Sequence, residues 1–124
     1  MIGYLLVTVG GGIGAAVRYF LSAWALTAFG PSFPWGTLLV NAVGSFIIGL
    51  VMVLSLERMI VSPEARLLLT TGFCGGLTTF STFSYETLAL LRGEQWLWAG
   101  ANALFNLLLC LAATGLGILL ARWI

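Results

Sequence analysis

The chain has 124 residues, room for one domain (1–124), with 60% hydrophobic residues, 7% charged residues and a net charge of +1. A soluble domain carries roughly 25% charged residues, so this composition, with a mean hydropathy of +1.09, argues for the membrane class and against a soluble surface. There is no basic patch to suit nucleic acid. With no His and only isolated acids, there is also no catalytic triad or zinc site, and the chain reads as a non-enzyme.

A spanning helix needs about 20 apolar residues, and four such stretches fit, at about 3–29, 35–56, 63–91 and 96–122. An all-α membrane protein of four transmembrane helices is predicted. The start lacks the basic stretch of a signal peptide, so it is read as part of the first span. Pro31 and Pro34 break the chain after Gly30. Ser62 suits an N-cap, with Pro63 at N1 and Glu64 in the first turn. Gly93 suits the residue that closes the third helix. Trp24, Trp35, Trp96, Trp98 and Trp123 lie towards span ends, where an interfacial aromatic belt sits. With the N-terminus inside, Arg58, Arg66 and Arg122 would be inside and Arg92 outside, a mild bias that one or two residues could reverse.

In the first span, Gly10, Gly12 and Ala15 fit a loose dinucleotide fingerprint. No acid follows at the spacing that ribose binding needs, so Gly10 and Gly14 are read as a small-residue packing face. Arg18 lies well inside this span, where a charge costs at least about 2.5–3.5 kcal/mol. Either it snorkels or pairs with an acid, or it forms an electropositive vestibule for an anion. In the second span Asn41 needs hydrogen-bond partners. On that segment alone, helix–helix packing is the simpler reading, and a donor aimed at an anion is the alternative.

The third span carries the densest signal, GGLTTFSTF at 75–83, with Thr78 midway between the flanking charges Glu64 and Arg92. Gly72 and Gly76 have the spacing of a packing motif. Gly75, Gly76, Thr78 and Thr79 are weak helix formers, so the third helix is expected to break near mid-membrane, at 75–79. Irregular backbone at that depth must be buried in protein or line a cavity, and unwound carbonyls are ligands for a hard cation such as Na+. Thr71, Gly75, Thr78, Thr82 and Glu86 recur at three- or four-residue steps, as a polar stripe would. Phe80 and Phe83, interleaved with Ser81, Thr82 and Ser84, could turn positive ring edges towards an anion.

The fourth span repeats the pattern, with Asn102, Asn106, Cys110 and Thr114 every four residues. Interhelical hydrogen bonding would be worth about 0.6 kcal/mol per contact; the favoured reading is the polar wall of a pathway. Cys74 and Cys110 form no metal-ligand spacing. Apart from Glu86 no acid lies within a span, so the lining suits a small anion or polar solute.

Residues 72–86 (GFCGGLTTFSTFSYE), with 10–19 (GGGIGAAVRY) and 36–46 (GTLLVNAVGSF), resemble the Fluc family of fluoride channels over essentially the whole chain. The resemblance implies an antiparallel, dual-topology homodimer in the bacterial inner membrane, with two fluoride pores. Phe80 and Phe83 would line the pores, and Asn41 would be the pore asparagine. Gly75 and Thr78 would offer backbone carbonyls to a central structural Na+. Ser81, Thr82, Ser84, Thr114 and, by its place in the fourth-span stripe, Asn106 would belong to the polar lining of the fluoride pathway. Glu86 would lie near a pore mouth and Arg18 in a vestibule. Cys110 departs from the small hydroxyl expected there, and a thiol is a weaker donor. A small dual-topology multidrug transporter is the rival, but it needs an acid in its first span, where this chain has Arg18. A non-conducting assembly subunit is the third reading.

Overall fold

The structure, a computed structural model, describes residues 1–124 and is entirely helical. Helix α1 spans Ile2–Phe29 and α2 spans Trp35–Leu56. The third segment is divided into α3 (Pro63–Leu67), a π-helical stretch (Leu68–Cys74), α4 (Gly75–Leu77) and α5 (Phe80–Arg92). Helix α6 spans Trp96–Trp123. Helices α1, α2 and α6 are each long and apolar enough to cross a membrane. At 1.5 Å per residue, the 28 residues of α1 and of α6 exceed a hydrocarbon core of about 30 Å. Large apolar side chains such as Leu5, Ile13, Phe20, Leu104, Leu108 and Leu119 are exposed, as a surface solvated by lipid requires.

The helix ends follow their local chemistry. Ser62 Oγ accepts from Ala65 N at 3.1 Å, with Pro63 at N1 and Glu64 in the first turn. Gly30 closes α1 at a φ of 83°, where a side chain would be strained. The end of α5 differs from expectation. Gly93 sits at a φ of −80°, and the left-handed residue is Glu94, at 58°. Gly93 N–H still reaches the Ala89 carbonyl, so the chain reverses one residue later than a glycine C′ would impose. Beyond α2, Arg122 donates to Glu57 at 2.8 and 3.0 Å, and the guanidinium holds this exposed carboxyl below its ordinary pKa.

Two glycine seams set the packing. A Cβ at Gly10 or Gly14 would strike the carbonyls of Leu68 or Phe73, and one at Gly76 would strike the Gly11 carbonyl. Thus α1 and the third segment touch backbone to backbone. In the second seam, a Cβ at Gly49 would meet the Thr114 carbonyl, and one at Gly117 the Phe46 carbonyl, which locks α2 to α6. The expected role of Gly75 and Gly76 as an unwinding point is corrected here. Both are helical, and Gly76 is needed for close approach to α1. Outside the helices, Phe33 is buried and packs its ring 4.7 Å from Trp35 and 5.5 Å from Trp98, plugging one end of the bundle.

The seams predict a contrast within α1. Gly14→Ala forces a methyl into the Phe73 carbonyl and is expected to destabilise by roughly 1–3 kcal/mol, as overpacking does. Gly12→Ala points into open space and is expected to be neutral or slightly stabilising, since Ala is the better helix former. Thermal unfolding in detergent checks both; equal midpoints would remove the seam.

Candidate functional site

The site begins where the helical backbone stops. Thr78 (φ −86°, ψ 157°) and Thr79 (φ −151°, ψ 118°) are extended, between α4 and α5. Two β-branched residues suit that conformation, and both ends are capped. Thr78 N and Oγ1 each donate to the Cys74 carbonyl, at 2.9 and 2.8 Å. Thr79 Oγ1 accepts from Thr82 N at 3.2 Å and so caps α5.

A side chain from α2 completes the interruption. Asn41 Oδ1 accepts from Thr79 N at 2.8 Å, and Asn41 Nδ2 donates to the Thr79 carbonyl at 3.3 Å. The amide therefore pairs with Thr79 as a neighbouring strand would. In an unbroken α-helix, the N–H of residue 79 would serve the Gly75 carbonyl and that of residue 82 the Thr78 carbonyl. Here the first goes to Asn41 and the second to Thr79 Oγ1. The Gly75 and Thr78 carbonyls thus lose their helical donors. The Gly76 carbonyl between them accepts from Arg18 Nε at 2.9 Å. Half-buried Arg18 forms no ion pair; Arg122–Glu57 is the one in the chain.

A groove of about 600 Å³ opens beside this break. Asn41, Gly75, Thr78, Phe80 and Phe83 line one part of it, and Asn106, Cys110 and Thr114 another. Those are eight of the residues singled out from the sequence. The Phe80 and Phe83 rings lie 5.4 Å apart with their planes at 56°. Phe80 is 77% exposed, its ring standing at the open side. No carboxylate lines the groove.

Other residues singled out from the sequence do not line it, Thr71 and Asn102 among them. Arg18 is turned to Gly76. Glu86 accepts from the buried Thr37 hydroxyl. Ser81 is exposed, and Thr82 and Ser84 are half-buried, all outside the groove. The expected stripe from Thr71 to Glu86 is thereby divided. Two extended residues change the helical phase, so Thr82 and Glu86 face away from the wall formed by Gly75 and Thr78.

The donors are largely engaged by the protein itself. Both Asn41 N–H groups are used, on Thr79 O and on Asn106 Oδ1 at 3.0 Å. Asn106 Nδ2 donates to the Asn102 carbonyl and to Asn102 Oδ1, at 2.8 and 3.0 Å. Thr114 Oγ1 donates to the Ser45 carbonyl at 3.0 Å. The longest of these bonds, Asn41 to Thr79 O, is the one most easily exchanged for a bond to an ion. Thr37 and Thr79 escaped the sequence reading as partners. Thr37 lies one turn before Asn41 on the same helix, and that spacing was the available signal.

A family model described as "CrcB-like protein, Camphor Resistance (CrcB)" matches residues 5–118. A relative from Geotalea uraniireducens is 52% identical over 95% of both chains. One from Geotalea daltonii is 49% identical over 97% of both. One from Anaeromyxobacter dehalogenans is 51% identical over 97% of this chain and 95% of its own length. Each of the three is named a fluoride-specific ion channel, FluC.

The Asn41 clamp predicts a local effect. Asn41→Leu removes the partner of Thr79 N–H, and a buried group left unpaired costs about 1–3 kcal/mol. The Thr79 amide is expected to lose its protection from hydrogen exchange by one to two orders of magnitude, while α2 stays helical. Unchanged protection at Thr79 would show that the break does not depend on Asn41.

Proposed function

The chain belongs to the CrcB family, and from that membership we propose that it is a fluoride-selective channel, passively exporting cytoplasmic fluoride from a bacterium across its inner membrane. It is a multi-pass membrane protein and not an enzyme. The observation that carries the reading is the groove. Its lining sets amides, hydroxyls and two tilted aromatic rings among apolar side chains such as Ile48, Leu107 and Leu111, with no carboxylate. Fluoride is small and strongly hydrated, so a pathway must replace its water with strong donors. Ring edges carry the positive end of the aromatic quadrupole and can face an anion without the desolvation cost of a formal charge. The Asn41 amide supplies a donor once its long bond to Thr79 is released.

One chain leaves the groove open and Phe80 bare. In our reading an antiparallel second copy covers that side, and two pores form, each drawing on both subunits. This copy would insert with the opposite topology, in keeping with the weak charge bias of the loops. Ser81, Thr82, Ser84, Asn106, Cys110 and Thr114 then belong to the walls of the pathway. Glu86, held by Thr37, stands near a mouth, and Arg18 borders a vestibule.

A monovalent cation, Na+, is assigned to the break. The residues fit it: the Gly75 and Thr78 carbonyls lack their helical donors, and no cluster of carboxylates or thiolates offers a divalent site. When bound, the ion would supply a fixed positive charge and hold the carbonyls of the two copies together. Its role is structural.

Three outcomes test this reading. Liposomes holding the purified protein should release fluoride to an electrode and retain chloride. No fluoride efflux, or equal chloride efflux, sinks it. Phe80→Ile should lower fluoride flux at least about tenfold, or about 1.4 kcal/mol in barrier, with the dimer intact; unchanged flux removes the aromatic-edge argument. Prolonged dialysis into Na+-free buffer should abolish flux. Full flux after that treatment would overturn the cation assignment.

A further inference from the structure

Three asparagines on two helices form a directed relay between the break and the phenylalanine-bearing helix. Thr79 N–H donates to Asn41 Oδ1, Asn41 Nδ2 to Asn106 Oδ1, and Asn106 Nδ2 to Asn102 Oδ1. Asn102 Nδ2 then donates to Thr87 Oγ1 at 2.9 Å, and that hydroxyl donates to the Phe83 carbonyl at 2.8 Å. The direction is set by backbone groups that cannot be reversed. Thr79 N–H can only donate, so Asn41 must present its oxygen there and its NH2 to Asn106. The Asn102 carbonyl can only accept, so Asn106 must present its NH2 to residue 102. That leaves Asn102 Nδ2 for Thr87.

Asn102 is fully buried, at 0% exposure, and does not line the groove. Helix α5 buries no residue of its own and packs mainly against α6. Apolar packing therefore holds it weakly, and in lipid there is no hydrophobic force to press it home. Apart from the short turn at 93–95 that joins it to α6, what ties α5 to the bundle is its attachment at the break, the Thr37–Glu86 bond and the Asn102–Thr87 bond. The last of these lies one turn from Phe83.

We propose that Asn102 and Thr87 are positioning residues for ion selectivity: through Asn106 and Asn41 they lock α5 to the break, and so set where the Phe80 and Phe83 ring edges stand. This inference rests on the groove being the anion pathway, and it adds residues that never touch the ion. Selectivity by ring edges requires the rings to be held to a fraction of an ångström. The break carries one end of α5 and the Asn102–Thr87 bond holds its flank, so loss of either lets the helix rock.

The test uses the full chain in liposomes, with fluoride and chloride efflux both normalised to folded protein by size-exclusion. Thr87→Val keeps the shape and removes the hydroxyl, and Asn102→Leu removes the amide. Each should lower the fluoride-to-chloride flux ratio about tenfold. The double variant should fall no further than Asn102→Leu alone, since that change already breaks the link that Thr87→Val removes. Thr87→Ser keeps the hydroxyl and should keep the wild-type ratio. A wild-type ratio in Thr87→Val and in Asn102→Leu, with only a lowered unfolding midpoint, would overturn the proposal and leave a structural bond. So would equal loss in Thr87→Ser and Thr87→Val. If the wild-type chain itself shows no fluoride flux, the channel reading fails first and takes the relay with it.

Discussion

The structure depends on the pairing of the Asn41 side chain with the backbone of Thr79. A backbone N–H or C=O left without a partner inside a packed bundle costs about 1–3 kcal/mol. A helix can stop inside the bundle only where another group takes over its hydrogen bonds. Asn41 takes over one donor and one acceptor together, which no hydroxyl side chain does as well in a fixed geometry. Once Thr79 is held, Thr82 turns to Thr79 Oγ1, α5 starts afresh, and two carbonyls upstream are released from helical duty.

That single clamp would fail on a loose scaffold. The two glycine seams supply rigidity by contact between backbones, where there are no rotamers to rearrange. Gly10, Gly14 and Gly76 fix α1 against the segment leading into the break, and Gly49 and Gly117 fix α2 against α6. The π-helical stretch Leu68–Cys74 lies against Gly10 and adds a residue to its turn. Arg18 then reaches from α1 to the Gly76 carbonyl. A guanidinium that costs energy to bury is tolerated here because it satisfies a carbonyl beside the interruption. By contrast α5 is held by a few polar contacts, so its position is governed by the asparagines and threonines around it.

Much of the site could be read from residue types. Glycines at four-residue spacing announced close packing, and Gly10, Gly14 and Gly76 do pack closely. Asn106, Cys110 and Thr114, four apart, share one wall of the groove with no adjustment. The third segment was harder. A periodic pattern drawn from Thr71 to Glu86 assumed one helix, and two extended residues shift its phase. Glu86 therefore meets Thr37 instead of the groove. Gly75 and Gly76 were expected to unwind because glycine is a weak helix former. Propensity yields to packing here, because a glycine against a neighbouring backbone is more useful helical than unwound.

The amino-acid sequence by itself determined the membrane class, the apolar stretches, the family and which side chains could meet an ion, because these follow from composition, periodicity and motif. Only the tertiary structure decided what each polar group faces. Asn41 reads as packing or as an ion ligand until Thr79 is placed opposite it, and Arg18 reads as vestibule or ion pair until the Gly76 carbonyl lies 2.9 Å away. Asn102, part of a four-residue stripe, turns out to be buried against Thr87 while its neighbour Asn106 reaches the groove. The physical reason is that hydrogen bonds are directional and short. Partners 38, 58 or 65 positions apart are chosen by how helices cross, and no local pattern carries that information.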